Sequence, residues 1–249
     1  MKGKRNEMKH TIWNPWKGCI KTSVGCKNCY IHLGQEKRQE TDFPITLTKD
    51  FDKPIKKDKK GNYLIKPDTL VYTCFSSDFL LESMDQYRPS LWKMIDSRKD
   101  LKFLFLTKRI ENLKKHLPDN WEDGYDNVYI GVSIENQEMA EKRLPLLRSS
   151  KIKHRLIICQ PLIEEIDIEK YLDELIEEVV VGGEAAKYNV ARILNYEWVI
   201  KIREACIKKN VDFTFRQVGS VFIKDGIEYR IPWKLLSKQA KESNIDYRP

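Results

Sequence analysis

The 249-residue sequence has no long hydrophobic run and no apparent export signal. No stretch approaches the about 18 consecutive apolar residues that indicate a membrane-spanning helix, so we expect no membrane span. The opening MKGKRNEMKH has no apolar stretch after its positive residues, which argues against a secretory signal. Internal repeats and low-complexity linkers are also absent. These absences favour a cytoplasmic globular protein that does not act at a membrane.

Histidine is scarce, with four residues in the whole chain, and the three that lie away from the cysteines show no metal-ligand spacing. Cysteine is present six times. In a cytoplasmic protein, six cysteines indicate metal binding, catalysis or burial rather than a disulfide framework. Cys74 and Cys159 lie within apolar runs and Cys206 lies on a predicted helix, so we expect these three to be small core residues.

The chain is basic, with a formal net charge of +8. Much of the excess lies in KDFDKPIKKDKKGN (residues 49–62), where six lysines accompany three aspartates. Such a segment is most simply a solvated hairpin or loop, and a nucleic-acid contact is the alternative. Basic charge permits attraction to phosphate backbones but does not by itself establish nucleic-acid binding.

After this segment, short apolar runs rich in β-formers alternate with amphipathic helical stretches. Near-continuous apolar runs suit parallel strands that are buried on both faces, and alternation with helices favours right-handed crossovers. The candidate strands are Leu70–Phe75, Phe103–Leu106, Val128–Val132, Leu156–Cys159, Glu178–Val181 and Phe213–Phe215. The candidate helices are residues 90–98, 109–117, 136–149, 168–178 and 197–210. The sequence therefore predicts an α/β fold, a partial TIM-like (β/α) barrel of six to eight strands.

Polar residues follow almost every candidate strand. In a β/α barrel, the carboxyl ends of the strands form the rim where ligands bind, so these residues are candidate site residues. They are Ser76, Ser77 and Asp78; Thr107, Lys108 and Arg109; Ser133, Glu135 and Asn136; Gln160; Gly182, Gly183 and Glu184; and Arg216 and Gln217.

The most informative motif is WNPWKGCIKTSVGCKNCY, in which Cys19, Cys26 and Cys29 have the spacing C-x6-C-x2-C. Three thiolates on one loop can hold three irons of a four-iron cluster and leave the fourth iron open for reaction. Zinc is the main alternative, because His32 could complete a tetrahedral Cys3His site with the same thiolates. Trp13, Trp16 and Tyr30 surround the cysteines; such a set can shield a cluster, stack on a base or simply pack in the core.

From about residue 11 to 219 the chain resembles a phage-associated family of uncharacterised three-cysteine-motif proteins, whose members are similar to radical S-adenosylmethionine enzymes. The motifs that carry the resemblance occur in order. They are the cysteine motif above, CFSSDF, FLFLTKRIENL, NVYIGVSIENQ, LIICQPLIEEI, VVVGGE and FTFRQVG.

The resemblance implies a 4Fe-4S cluster on Cys19, Cys26 and Cys29 with S-adenosylmethionine on its open iron. An external electron donor would then drive formation of a 5′-deoxyadenosyl radical that abstracts hydrogen from a substrate. The resemblance also implies cofactor-binding roles for rim residues. These are Ser76, Ser77, Asp78, Ser133, Glu135, Asn136, Gly182, Gly183 and Glu184; for the last three, which lie on a later strand than in the radical enzymes, substrate binding is the equal alternative. Lys108 and Arg109 are expected to meet a carboxylate or a phosphate.

The chain departs from the resembled pattern at three places. The radical enzymes usually space their cysteines C-x3-C-x2-C, and an aromatic residue usually precedes the third cysteine, where this chain has Asn28. Gln160 stands where the three-cysteine family often has glutamate. Three functions therefore compete. The first is a radical enzyme acting on a nucleic acid or nucleotide, and the second is a non-catalytic nucleic-acid-binding protein stabilised by zinc or a cluster. The third is an inactive relative of the radical enzymes retained as a scaffold, which Gln160 supports.

The predicted organisation is a barrel over residues 1–219, with an N-terminal cysteine loop and a lysine-rich insertion near residues 43–68. Residues 220–249 are a predicted extension. It reads as a β-hairpin around Asp225 and Gly226, because an Asp-Gly pair suits a two-residue hairpin turn, followed by a short helix.

Overall fold

The structure is a computed structural model that describes residues 9–36 and 44–249. Residues 1–8 and 37–42 of the predicted barrel and residue 43 of the predicted insertion lie outside the described residues. The strands are β1 His10–Trp13, β2 Trp16–Lys17, β3 Thr46–Leu47, β4 Leu70–Thr73, β5 Lys102–Thr107, β6 Val128–Ser133, β7 His154–Cys159, β8 Ile176–Gly182, β9 Ile193–Asn195, β10 Asp212–Gln217, β11 Val221–Lys224 and β12 Ile227–Arg230. The α-helices are α1 Tyr30–Glu36, α2 Arg88–Ser97, α3 Leu113–His116, α4 Gln137–Ser149, α5 Tyr196–Lys209 and α6 Leu236–Glu242.

Seven of these strands form one sheet in the order β1-β4-β5-β6-β7-β8-β10, with every neighbouring pair parallel. Spatial order therefore follows chain order, as right-handed crossovers require when all the connections lie on one side of a sheet. The sheet curls into a half-barrel. The predicted mixed α/β fold is thus confirmed as a seven-stranded parallel half-barrel.

The outer face of the sheet carries the core. Strand residues such as Phe103, Ile130, Ile157 and Val179 are fully buried there and pack with the apolar faces of the helices. Period-2 alternation assigns the other residues of each strand to the inner, concave face. Because the residues on both faces are largely apolar, the strands read as nearly continuous apolar runs.

The inner face is less completely covered than the outer one. Ile12 is 51% exposed, and Tyr72 and Leu104, its neighbours across the sheet, are half-buried. The side chains of Leu106 and Ile158 lie beside Gly131, where an added Cβ would come within 2.5 Å of Leu106 Cδ2. The half-barrel therefore presents an apolar concave surface below the carboxyl ends of its strands.

The chain itself covers both edges of the half-barrel. Beside β1, Lys53 Nζ donates to the carbonyl of Ile12 (2.6 Å), and Trp13 Nε1 donates to the carbonyl of Asp50 (3.0 Å). Beside β10, residue 247 pairs with Phe213 through two backbone hydrogen bonds of 3.0 Å. Because unpaired strand edges invite association with other chains, these segments protect a sheet that does not close.

The lysine-rich segment includes an open hairpin whose backbone is bridged between Lys57 and Tyr63. Arg98 anchors it: its guanidinium donates to the carbonyl of Ile65 (2.8 Å) and lies 4.0 Å from the centre of the Tyr63 ring. Arg98 lies just before β5, so the hairpin lies at the amino ends of the strands. The loop that carries the three cysteines lies at the carboxyl ends of the strands.

The predicted helix over residues 168–178 is wrong. The structure has a three-residue 3-10 helix there, Glu169–Tyr171, and then β8 from Ile176. Asp173 ends the helical path, because its side chain accepts from the Leu175 N–H (3.1 Å) and its carbonyl accepts from the Ile176 N–H (3.0 Å). The predicted helix over residues 109–117 is also shorter than expected, a 3-10 turn followed by α3.

The predicted hairpin at the C-terminal end is present. β11 and β12 pair antiparallel, and Asp225 and Gly226 form the turn with positive φ values of 53° and 75°. β9 adds to β11 as a parallel third strand, and α6 packs on β10. Within the described residues, no helix is long and apolar enough to cross a membrane.

Candidate functional site

The three cysteines lie on a loop, residues 18–29, that we call the cysteine loop. Cys26 is buried in a 3-10 turn, Val24–Cys26, whereas Cys19 and Cys29 are half-buried. The Cys29 N–H donates to the carbonyl of Cys26 (3.3 Å), and the Cys29 carbonyl accepts from Leu33 at the start of α1 (3.0 Å). All three are free thiols, and two turns of backbone hydrogen bonds fix the second and third relative to α1.

The Cys19 thiol lies beside a guanidinium group. Burial raises the pKa of Cys19 to about 11, and this shift persists although Arg109, with Nη1 3.9 Å from the sulfur, acts to lower it. The free thiol is therefore protonated at neutral pH. Because metal ligands bind as thiolates, a metal or cluster at this position would have to displace that proton.

A buried pair, Asp78 and Arg109, joins the ends of β4 and β5 to the cysteine loop. Arg109 Nη1 donates to Asp78 Oδ2 (3.1 Å), and Arg109 Nη2 donates to the carbonyl of Ile20 (2.6 Å). Asp78 also accepts from the Thr107 hydroxyl (2.8 Å) and the Lys108 N–H (3.0 Å). The Asp78 carboxylate is thus committed to this junction.

A second buried pair stands at the end of β6. Glu135, 1% exposed, accepts from Arg143 Nη1 on α4 (2.9 Å) and from the N–H of Gly25 in the cysteine loop (3.2 Å). A Cβ at residue 25 would lie 2.9 Å from Glu135 Cδ, which is closer than real Cβ atoms approach. Gly25 therefore lets the loop backbone touch the carboxylate directly.

A third pair stands at the end of β8. Glu184 accepts from Arg192, through its backbone N–H (3.0 Å) and its guanidinium, and from the amide of Asn28 in the cysteine loop (2.8 Å). Burial acts to raise the pKa of Glu184, but the hydrogen bonds from Arg192 and Asn28 hold it below the usual value. Arg192 Nη1 also donates to the carbonyl of Val24 (2.7 Å). Three acid–arginine pairs therefore hold one loop over the carboxyl ends of the half-barrel.

Three further polar groups near β4 hold the start and end of the same loop. The Ser76 hydroxyl donates to the carbonyl of Trp16 (3.0 Å), and the Ser77 hydroxyl donates to the carbonyl of Gly18. The Tyr30 hydroxyl donates to the carbonyl of Phe75. Ser76 and Ser77 thus lie where the sequence predicted, at the rim, and their hydroxyls contact the loop.

Five other predicted rim residues, Ser133, Asn136, Gly182, Gly183 and Gln217, have local structural roles, and the Gln217 amide donates to the carbonyl of Gly183 (2.8 Å). Asn136 caps α4 by accepting from the Met139 N–H (3.0 Å), and the Ser133 carbonyl accepts from Arg143 (2.7 Å). Gly182 makes room for Gln160, since an added Cβ would lie 2.9 Å from its Cδ. Gly183 lies against Gly219, where a Cβ would come within 2.4 Å of the backbone. Close packing therefore accounts for both glycines.

Sequence reasoning missed Asn28, Arg143 and Arg192 as residues of this site. Arg143 lies in the middle of a predicted amphipathic helix and Arg192 lies in a loop, so neither stands directly after a strand. The only sequence signal was their type, because a buried carboxylate needs a cation. Their partners could not be identified without knowing how the loop folds back.

Cys19, Cys26 and Cys29 are the residues that could hold a metal ion or a cluster. Within residues 9–36 and 44–249, no three Cys, His, Asp or Glu side chains are gathered closely enough to hold one metal ion. Zinc would draw all four of its ligands to about 2.0–2.3 Å from one point. A four-iron cluster takes each thiolate on a different iron, so it accommodates thiols that are farther apart. His32, the fourth ligand of the zinc alternative, is buried on α1.

The rim carboxylates fit a cofactor ammonium group less well. Asp78, Glu135 and Glu184 are each paired with an arginine of the same chain. By contrast, the amide of Gln160 makes no hydrogen bond in the part of the chain that the structure describes, and the same holds for the half-buried ammonium of Lys108. Exposed Arg216 likewise makes no side-chain hydrogen bond among the described residues, so these three rim side chains are free to meet a bound molecule.

Comparison with known proteins identifies a family but no individual relative. No curated protein and no solved structure matches the chain. One family model, described as a protein of unknown function (DUF5131), matches residues 5–246. The match covers nearly the whole chain, including the cysteine loop and all seven strands of the half-barrel. The chain therefore belongs to the DUF5131 family.

Proposed function

We propose that this protein is an iron–sulfur enzyme of the radical S-adenosylmethionine type. Cys19, Cys26 and Cys29 would hold a 4Fe-4S cluster with one open iron, and the half-barrel would be of the TIM-like kind found in such enzymes. The observation that carries the proposal is a three-cysteine loop held across the carboxyl ends of seven parallel strands. Ligand sites of parallel α/β folds lie at that end of the sheet.

When bound, the cluster and S-adenosylmethionine would supply the one-electron chemistry that generates a 5′-deoxyadenosyl radical, with electrons from an external donor. The chain itself would contribute position and enclosure. Arg109 keeps a positive charge beside Cys19, which would stabilise the thiolate once a metal has displaced the thiol proton. Lys108 is placed to pair with a carboxylate or phosphate of a bound molecule, and Gln160 to donate or accept a hydrogen bond.

The concave face below the loop suits the substrate. Its half-buried apolar residues, among them Tyr72, Leu104 and Val180, form a surface from which bound substrate would displace water. Excluding water protects reactive intermediates from side reactions. We therefore place the reacting part of the substrate, which we propose is a nucleic acid or nucleotide, between this surface and the cysteine loop.

The test is anaerobic reconstitution with iron and sulfide, followed by electron paramagnetic resonance of the reduced protein with and without S-adenosylmethionine. We expect a four-iron signal that changes when the cofactor is added and that is lost in Cys26→Ala. No four-iron signal, together with one tightly held zinc ion, would overturn the proposal.

The second candidate, a zinc-stabilised binding protein, is favoured by the burial of His32 one turn after Cys29. His32→Ala separates the two candidates. Zinc retention should collapse if His32 is a ligand, whereas cluster assembly should survive if the three cysteines suffice. Metal content by mass spectrometry on protein purified without oxygen gives the readout for both.

A further inference from the structure

We propose that the outer surface of the cysteine loop binds single-stranded nucleic acid. The surface, which we call the loop face, consists of residues 17–30 and 185–193. The inference rests on the proposed function only in taking the bound strand as the enzyme's substrate, one nucleotide of which would enter the space between the loop and the concave face. Binding itself follows from charge, exposed aromatic rings and fixed geometry, and it requires no cluster.

The charge of the loop face is of one sign. Neither segment contains an aspartate or glutamate, and Lys17, Lys27 and Lys187 are exposed on them. The nearest rim carboxylates, at residues 78, 135 and 184, are buried and paired with arginines. The two segments of the loop face thus carry exposed lysines and no acidic residue of their own, a composition that attracts polyanions.

The loop face also carries aromatic rings. Tyr30 is 67% exposed, and its hydroxyl donates to the carbonyl of Phe75, so an exposed aromatic side chain is held in place. Tyr188 is 42% exposed on the neighbouring segment. Exposed rings beside lysines are the combination with which proteins stack bases and track the backbone of single strands.

Direct hydrogen bonds join the two segments into one surface. The Asn28 amide donates to the carbonyl of Val190 (2.8 Å), and Arg192 donates to the carbonyl of Val24 (2.7 Å). Lys27 therefore lies next to a residue that touches the segment bearing Tyr188. A surface that is already ordered before binding loses little conformational entropy when a ligand arrives.

The chemistry favours single strands over duplexes. Stacking on Tyr30 and Tyr188 needs bases that are already unstacked from their neighbours. The half-buried thiols Cys19 and Cys29 belong to the same surface, so a strand bound here would pass directly over the candidate metal centre. The lysine-rich hairpin lies at the opposite end of the strands and offers a matched control.

The test measures fluorescence anisotropy of labelled oligo-dT and oligo-U of about 12 nucleotides with cluster-free protein across a series of salt concentrations. The variant Lys27→Glu/Lys187→Glu reverses two charges on the loop face, and Lys59→Glu/Lys60→Glu reverses two on the hairpin. We expect the first to weaken binding about ten-fold or more and to lower the salt slope by about 1.4, while the second changes little. Tyr30→Leu, which keeps an apolar side chain, should weaken binding roughly five-fold or more.

Three results would overturn the proposal: no binding at low salt, equal loss in both double variants, or equally tight binding of a duplex of the same sequence. Preference for an acidic protein over either oligonucleotide would reassign the surface to a protein partner. Because the assay uses cluster-free protein, its failure is distinct from failure of the resonance experiment.

Discussion

Gly25 is the residue at which the cysteine loop is most tightly constrained by its neighbours. Its missing side chain allows the backbone N–H to reach the buried Glu135 carboxylate, which Arg143 holds from the other side. A methyl group at this position would meet a charged group that has no room to move. The position of the loop therefore depends on the missing side chain of Gly25 as well as on hydrogen bonds.

We predict that Gly25→Ala lowers the free energy of unfolding by about 1–3 kcal/mol, because the new Cβ overpacks against Glu135. Urea unfolding at neutral pH measures the change. The matched experiment places Gly25→Ala in a Glu135→Asp background, where the shorter side chain leaves space. The loss there should be smaller than in the wild-type background. Equal losses in both backgrounds would show that the clash is not the cause.

Glu184 makes a pH-dependent contribution to the free energy of unfolding. Its pKa lies below the usual value of 4.5 in the folded protein, so its contribution to stability is complete above 4.5 and is lost as pH falls through the lower, folded value. We predict that Glu184→Gln lowers the free energy of unfolding by about 1–3 kcal/mol at neutral pH. Its deficit relative to wild type should shrink below pH 4.5.

Urea titrations of both proteins at about pH 6 and about pH 3.5 give the comparison. Glu228→Gln is the control, since Glu228 pairs with Arg230 on an exposed hairpin. It should follow wild type at both pH values. A deficit for Glu184→Gln that stays constant with pH would show that packing, not charge, explains the loss.

At the scale of elements, Asn136 separates a structural from a cofactor role. Its side chain caps α4, and Asp and Ser cap helices as well as Asn does. We predict that Asn136→Ala destabilises the protein by about 1 kcal/mol, whereas Asn136→Asp and Asn136→Ser stay within a few tenths. Chemical unfolding measures this series. A large loss in all three variants would mean that the amide is needed for something other than capping.

The sequence was sufficient to predict the elements that are defined by burial alone. Strands such as Val128–Ser133 are apolar because the sheet is covered on its outer face, so their position and type were readable. β1 was missed because HTIW is only four residues long and has Pro15 shortly after it. Residues 168–178 were wrongly predicted to form a helix because four of them have helical spacing and are buried, namely Ile168, Tyr171, Leu172 and Ile176. In the structure Asp173 turns the chain instead.

The site was predictable in its residue types and not in its contacts. Polar residues after strands were identified because carboxyl ends of parallel strands share one rim. Their partners in the cysteine loop could not be predicted. These contacts join residues as far apart in sequence as Asn28 and Glu184. No local pattern encodes such a contact. The arginines that complete the pairs come from a helix and a loop, where single charged residues usually face solvent.

At the scale of the whole molecule, an incomplete barrel must protect two open edges. The segment around Lys53 covers β1, and the last residues of the chain cover β10. Both covers come from segments outside the repeating strand–helix pattern. The lysine-rich segment thus has a structural role at the edge of the sheet, whatever its exposed tip contacts. This arrangement explains how a seven-stranded parallel sheet stays open.

The cover over β10 yields the prediction with the largest expected effect. Residue 247 pairs with the Phe213 backbone, the Asp246 carboxylate accepts from the Phe215 N–H (2.8 Å), and Arg248 reaches Glu178 (2.9 Å). Deleting residues 244–249 should lower the free energy of unfolding by about 2–4 kcal/mol, since several hydrogen bonds and a partly buried ion pair are lost together.

The exposed edge should also cause concentration-dependent self-association, which light scattering detects. A truncated chain that stays monomeric at all concentrations would show that the edge is protected by something other than its own terminus.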